Sequence, residues 1–187
     1  IAEMMQYIRE GIKAKPIEAD CMYGGIVIDT REFTNQTGVR TFEAAAYLRR
    51  CGADIVRIRK IFREDFSDYQ AKAHAISAAD IYRNAFALSS VERAGSESPT
   101  VLCAKAANEL LNIRGIKASV VLTKVEDTVF LSARSIDEVN VQVLMEKLGG
   151  GGHRTVAGAQ IQNSTVEECI QKVKAAIDEM IEEGEVE

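Results

Sequence analysis

The 187-residue chain reads as an α/β protein, with a C-terminal sheet covered by helices and a helical lobe in front of it. Three observations predict this. Apolar residues recur at steps of three and four at the start of the chain, the spacing of an amphipathic helix. Beyond residue 85, short β-rich runs alternate with helical patterns, the order expected of a sheet with helices packed on it. Hydrophobic residues make up 47% and charged residues 27%, enough to build a core and too many for a disordered or low-complexity chain.

The elements follow in order. Ile1, Met4, Met5, Ile8 and Ile12 form one face of a helix over residues 1–15. Pro16 suits the first position of a second helix, because its missing N–H would go unpaired there anyway. The stretch that follows, IEADCMYGGIVID, is ambiguous. Its IVI end resembles a buried strand and its start resembles a helix, which Gly24 and Gly25 weaken unless something packs closely on them. Residues 30–41, rich in Thr, Asn and Gly, read as a structured loop. Thr41 then reads as the N-cap of FEAAAYLRR, Gly52 as its stop, and ADIVRIRKIFRED as a shorter basic helix. An Ala-rich stretch from about Asp65 to Ala85 reads as a connecting helix.

The second lobe then runs strand (86–92), helix (98–113, with Ser98 as cap and Pro99 first), hairpin (118–127 and 128–135, turning at Asp127), helix (139–148), strand (156–162) and a final helix. Ser164 reads as the cap of that last helix, with Glu167 three residues on, as a capping box requires. No internal repeat is present.

Charge and composition narrow the function. Net charge is −5, but the last ten residues carry six acids and no base, which leaves residues 1–177 at +1. A nearly neutral body argues against a duplex-DNA surface and leaves room for a small anion pocket. No apolar run approaches the roughly 20 residues of a membrane helix, and the N-terminus is not a signal peptide. The chain begins in mid-pattern at Ile1 and reads as a soluble part of a longer protein. Cys21, Cys51, Cys103 and Cys169 form no CxxC pair and read as reduced core thiols of a cytosolic protein.

Three segments suggest chemistry. In LGGGGHRTVAG (148–158), four glycines let a ligand approach the backbone and turn several N–H groups toward an anion, and His153 adds a donor. The bland alternative is a flexible connector. In SARSIDEVNV (132–141), Arg134 on a strand suits a forked phosphate contact, and Asn140 suits a base edge. The bland alternative is a surface ion pair. In GIVIDTREFTNQTGVRTFE (25–43), Asp29 closes an apolar run, where a carboxylate needs a partner, a metal or an N-cap role. Arg31 and Arg40 are pocket cations or helix-flanking charges. His74 reads as structural, and the basic run RIRKIFR (57–63) as a solvated helix face. The chain holds no HExxH, P-loop or GxSxG motif.

GIVIDTREFTNQTGVRTFEAAAYLRRCGAD (25–54) and SARSIDEVNVQVLMEKLGGGGHRTVAGAQ (132–160) together resemble the DHH-family phosphoesterases. The second block is similar to their DHH-associated substrate-binding domain, and the pair is most like the bacterial membrane-anchored cyclic-di-AMP phosphodiesterases. The resemblance implies that residues 1–65 are the C-terminal part of a DHH catalytic domain, and that 66–187 are a linker helix plus the DHH-associated domain. It also implies that residues 17–29 are helical. It implies Arg134, Ser135 and Asn140 in a substrate-facing segment, and Gly150, Gly151, Gly152 and His153 in a phosphate-recognising loop. Asp29 would be one ligand of a two-manganese centre whose bound water opens a cyclic dinucleotide to linear pApA.

The departure from the family is equally specific. There is no HxxxDxD and no DHH sequence, and the only histidines are His74 and His153. Asp29 alone cannot hold two metals. The expectation is a chain that recognises nucleotide, carries no catalytic residue of its own, retains no manganese and does not hydrolyse phosphodiesters alone. The implied partners are a cyclic dinucleotide or a short linear oligonucleotide, and a second copy in a homodimer. The implied location is the cytoplasmic face of the membrane that anchors the parent. The alternatives are a nanoRNase or pAp phosphatase of the same superfamily, a nucleotide-binding module without catalysis, or a purely structural domain.

Overall fold

The computed structural model describes residues 1–8, 13–92 and 98–186, and the chain divides into two compact units, Ile1–Arg63 and Glu64–Glu187. The first unit is helical: α1 (Ala2–Ile8), α2 (Pro16–Asp29), α3 (Val39–Arg50) and α4 (Ile55–Ile61). Of the helix expected over residues 1–15, only Ala2–Ile8 is described as helical; residues 9–12, with Ile12, lie outside the described residues, and Lys15 is already extended.

IVI is helical, as the resemblance implied. Pro16 opens α2, and the Lys15 N–H donates to Glu18 at 2.8 Å. Gly24 is tolerated in mid-helix because a side chain there would crowd α4: an added Cβ would sit 3.2 Å from the Phe62 ring. α3 starts earlier than Thr41 would have it. Gly38 is its N-cap, and Thr41 is the third helical residue, accepting from the Gly38 N–H at 3.4 Å. The unit's core is mostly small: Ala19, Ala44, Ala45 and Ala53 around Tyr23, Tyr47, Leu48 and Ile58. One buried carboxylate links two helices, since Asp20 of α2 accepts from the Asp54 N–H at 2.7 Å and from the Arg57 guanidinium. Those two contacts, Arg57 first, hold its carboxyl below the usual aspartate range.

The second unit contains α5 (Phe66–Ser77), β1 (Asp80–Tyr82), β2 (Phe86–Ser90), α6 (Pro99–Leu110), β3 (Ala118–Val125), β4 (Thr128–Ser135), α7 (Val141–Glu146), β5 (Gly151–His153), β6 (Val156–Gln162) and α8 (Val166–Glu182). The strands form one six-stranded sheet in the order β1-β2-β3-β4-β6-β5. β2 and β3 are parallel, joined through α6 as a parallel pair must be joined by a crossover; the other pairings are antiparallel.

Alternation divides the two faces. Ala118, Val120 and Leu122 of β3, with Val129, Leu131 and Ala133 of β4, join the core beneath α7 and α8. Val121, from the other face of β3, joins Leu102, Ala106 and Leu110 of α6. α8 supplies Cys169, Val173, Ala176, Ile177 and Met180, a helical stripe buried on the sheet. Burying side chains of this size contributes about 1.5–3 kcal/mol each.

Three boundaries differ from the sequence reading. The connecting helix ends at Ser77, and Asp80–Tyr82 form an edge strand on β2. The glycine run is part loop and part strand, since Gly151–His153 pair with β6. Thr165, not Ser164, caps α8: its hydroxyl accepts from the Glu168 N–H at 3.2 Å, and Ser164 instead donates to the Glu168 carboxylate at 2.8 Å. The cysteines are all free thiols, but only Cys103 and Cys169 are core residues; Cys21 is exposed and Cys51 half-buried. Among the described residues no helix is long and apolar enough to cross a membrane.

Candidate functional site

The site is assembled by strand register on the α6 face of the sheet. Ser119 pairs with Arg134, Arg134 with Val156, and Val156 with His153. Directly opposed residues of antiparallel strands project from the same face. Arg134 and His153 therefore share one row, two strand spacings or about 10 Å apart. That this is the α6 face is fixed by Ser119, whose hydroxyl donates to the Ala107 carbonyl of α6 at 2.7 Å. His153 is exposed and Arg134 half-buried, with the Arg134 Nη1 also donating to the Ala133 carbonyl at 2.7 Å.

The next row along the strands is Ser132, Gly158 and Gly151, and the one after it Phe130 and Gln160. These rows border a cavity of about 510 Å³, closed on its helical side by Thr100 and Cys103 of α6 and on another by Gly149 and Gly150. A pocket of this size falls within the roughly 300–1,000 Å³ of small-molecule sites. Among the described residues, none that lines the cavity carries charge at neutral pH. The Cys103 thiol among them is pushed up to about 12 by burial. The site therefore sets an Arg–His row beside a pocket whose described lining is uncharged.

The four glycines are not equivalent. Gly149 has φ +79°, a conformation L side chains rarely adopt. A Cβ on Gly150 would lie 2.2 Å from the Gly158 carbonyl oxygen, and one on Gly152 would lie 2.5 Å from the Val156 carbonyl oxygen. The fold itself demands glycine at 150 and 152, where a Cβ would clash with backbone, and favours it at 149. A Cβ on Gly151 meets nothing within 4 Å, so packing does not require glycine at this pocket-lining position.

The remaining expected residues lie beneath or beside the site. Ser135 is buried, and its hydroxyl donates to the Val139 carbonyl at 2.7 Å, so it braces the loop before α7 from within. Asn140 is the N-cap of α7; its side-chain oxygen accepts from the Gln142 N–H at 3.1 Å and is committed to the helix end. Two residues the sequence did not single out hold His153 in place. Arg154 donates to Asp137 Oδ1 at 2.8 Å and to the Asp137 carbonyl at 3.0 Å, and its own carbonyl accepts from the Val141 N–H at 2.9 Å. The tight β5–β6 turn is thus fastened to the N-terminus of α7. Phe130, Gln160, Thr100 and Cys103 were also missed.

In the first unit, Asp29 is the exposed last residue of α2. Arg31 follows in a left-handed conformation, φ +46°. Arg40 makes a two-pronged ion pair with Glu3, both contacts 2.8 Å, and so is a helix-flanking charge. Within RIRKIFR, Arg57 serves the buried Asp20, and His74 is exposed on α5. Among the described residues no three His, Cys, Asp or Glu side chains converge to hold a metal ion.

The second unit is thus a helix-covered mixed sheet that sets an Arg–His row beside a glycine-walled pocket. Residues 86–183 match the DHHA1 domain, and the chain belongs to that family. It is 43% identical over 98% of its length to the cyclic-di-AMP phosphodiesterase GdpP of Geobacillus thermodenitrificans, and 38% identical over 95% to the cyclic-di-AMP phosphodiesterase PdeA of Listeria monocytogenes. The chain spans 28% and 27% of those proteins. An exopolyphosphatase-related protein from Bacteroides fragilis shares the fold, with a TM-score of 0.80 at 21% identity over 89% of this chain and 51% of that one.

Proposed function

We propose that this chain is the nucleotide-recognition part of a DHH-family phosphodiesterase that opens cyclic-di-AMP to linear pApA. The observation that carries the proposal is the row of Arg134 and His153 beside a pocket whose described lining is uncharged. A cyclic dinucleotide alternates phosphates with neutral bases, and the site has a surface for each. Arg134 and His153 bind the non-bridging phosphate oxygens, and the Gly151 opening lets the backbone of the substrate approach β5. The names of the GdpP and PdeA relatives point to the same substrate.

In this proposal hydrolysis belongs to the longer protein, with manganese as its cofactor and Asp29 as one ligand. Among the described residues the donor set does not fit a two-metal centre, since one exposed helix-end carboxylate supplies too few ligands. No hydrolytic step is assigned to these residues, and the purified chain is expected to show no manganese-dependent turnover. Turnover by the chain alone would overturn that part.

The test is calorimetric titration of cyclic-di-AMP and pApA into the chain and into Arg134→Ala, His153→Ala and Gly151→Ala. Saturable binding is expected, weakened by all three substitutions, with the thermal midpoint of Gly151→Ala unchanged. Silence from a chain shown to be folded, or equal affinity in the Arg134 and His153 variants, would refute the reading.

A further inference from the structure

The charged row and the pocket are chemically different. Among the described residues no cation lines the pocket, so they offer a phosphate no counter-charge there. An alkyl chain has little reason to enter it, because the lining mixes the Thr100 and Ser132 hydroxyls, the Gln160 amide and glycine backbone with one aromatic ring. What suits such a lining is a flat, uncharged group with polar edges.

We propose that the cavity between α6 and the β4–β6 strands is a nucleobase subsite, with Phe130 as its stacking wall and Gln160 as the reader of the base edge. The assignment rests on the nucleotide-recognition reading above and says where the neutral part of that ligand goes. Phe130 and Gln160 are directly opposed across β4 and β6, so ring and amide stand side by side on one face. A carboxamide offers a donor and an acceptor together, the pair that matches the N6 and N7 edge of adenine. The Cys103 thiol at the helical side stays protonated, which keeps that end neutral. Successive rows on one face of a strand lie about 7 Å apart. The base row is thus two steps from Arg134, with the Ser132–Gly158–Gly151 row, free of bulky side chains, between them as a corridor for the sugar.

The experiment compares 5′-AMP with ribose 5-phosphate, which has the same phosphate and sugar but no base. Both are titrated into the full chain, Phe130→Leu, Gln160→Leu and Arg134→Ala, with circular dichroism as the fold check. Gln160 is exposed, so its substitution leaves the core intact even if Phe130→Leu unsettles the strand. AMP is expected to bind the unmodified chain about tenfold more tightly, the return of one stacked base. Both pocket variants are expected to bring that ratio toward one while leaving ribose 5-phosphate affinity unchanged; Arg134→Ala is expected to weaken both ligands alike. A ratio near one in the unmodified chain, or a preference for AMP that survives Gln160→Leu, overturns the base subsite and leaves phosphate recognition standing. Failure of both ligands to bind overturns the recognition reading, and this assignment falls with it.

Discussion

The two units bury their apolar residues in opposite ways. The second has a two-sided sheet whose buried residues are large: Phe86, Leu122, Leu131, Leu144, Ile177 and Met180. The first encloses alanines and leaves much of its larger apolar surface in water, with Tyr7 81% exposed and Val39 74% exposed, and Phe42, Val56 and Ile61 also uncovered. Small side chains let helices approach closely but release little free energy, since burial gain scales with apolar area. The comparison teaches that helical periodicity marks a helix without saying how well the helix is covered. The candidate site belongs to the unit with the larger buried side chains.

The most severe test of this contrast is truncation within each core. Leu122→Ala is expected to destabilise the second unit by about 4 kcal/mol, and Leu48→Ala the first by about 2 kcal/mol, the low end for leucine truncation. Urea unfolding followed by hydrogen exchange in each unit checks this. Equal losses would erase the distinction. Thiol labelling sharpens it at lower amplitude. Under native conditions iodoacetamide is expected to modify exposed Cys21 first and Cys51 next. Cys103 and Cys169 should lag on the order of a hundredfold or more, reacting only as the sheet opens. Rapid native labelling of Cys103 would show that the core beneath α6 is not closed.

The smallest effect concerns acid. The folded carboxyl of Asp20 titrates below its ordinary value, held there by Arg57 and the Asp54 N–H. Its contribution is therefore fully present above the unfolded value near 4 and is lost as pH falls through the lower folded one. Asp20→Asn should be less stable than the parent at pH 7, with the gap closing below about pH 4 and the second unit unaffected. A gap independent of pH would mean that the contact works through shape rather than charge.

Much of the fold could be read from the sequence wherever local pattern and tertiary outcome agree. The β3–β4 hairpin, α6 with Pro99 first, and α8 follow from period and helix-start residues, with the α8 cap one residue later than read. What escaped depends on distant partners. Asp80–Tyr82 continue an Ala-rich helical pattern and become a strand only because β2 offers an edge. Gly151–His153 have no strand propensity of their own, and pairing with β6 makes them one. IVI is helical because Phe62 and Ile58 lie across Gly24.

The candidate site divides in the same way. Arg134, His153 and the glycines stood out by residue type. Phe130 and Gln160 did not, because thirty positions separate them and no motif joins them. The one available signal was the period of two in TVFLSARS, which puts Phe130, Ser132 and Arg134 on the same face.

The unequal roles of the four glycines have a consequence for inheritance. Every missense change at a glycine codon adds a side chain, so the run offers no silent drift at the protein level. Selection for folding alone would reject such changes at Gly150 and Gly152, disfavour them at Gly149 and accept them at Gly151. A library scored once for soluble expression and once for ligand capture would therefore separate at this single codon. Position 151 is where a lineage could trade binding away while keeping its architecture.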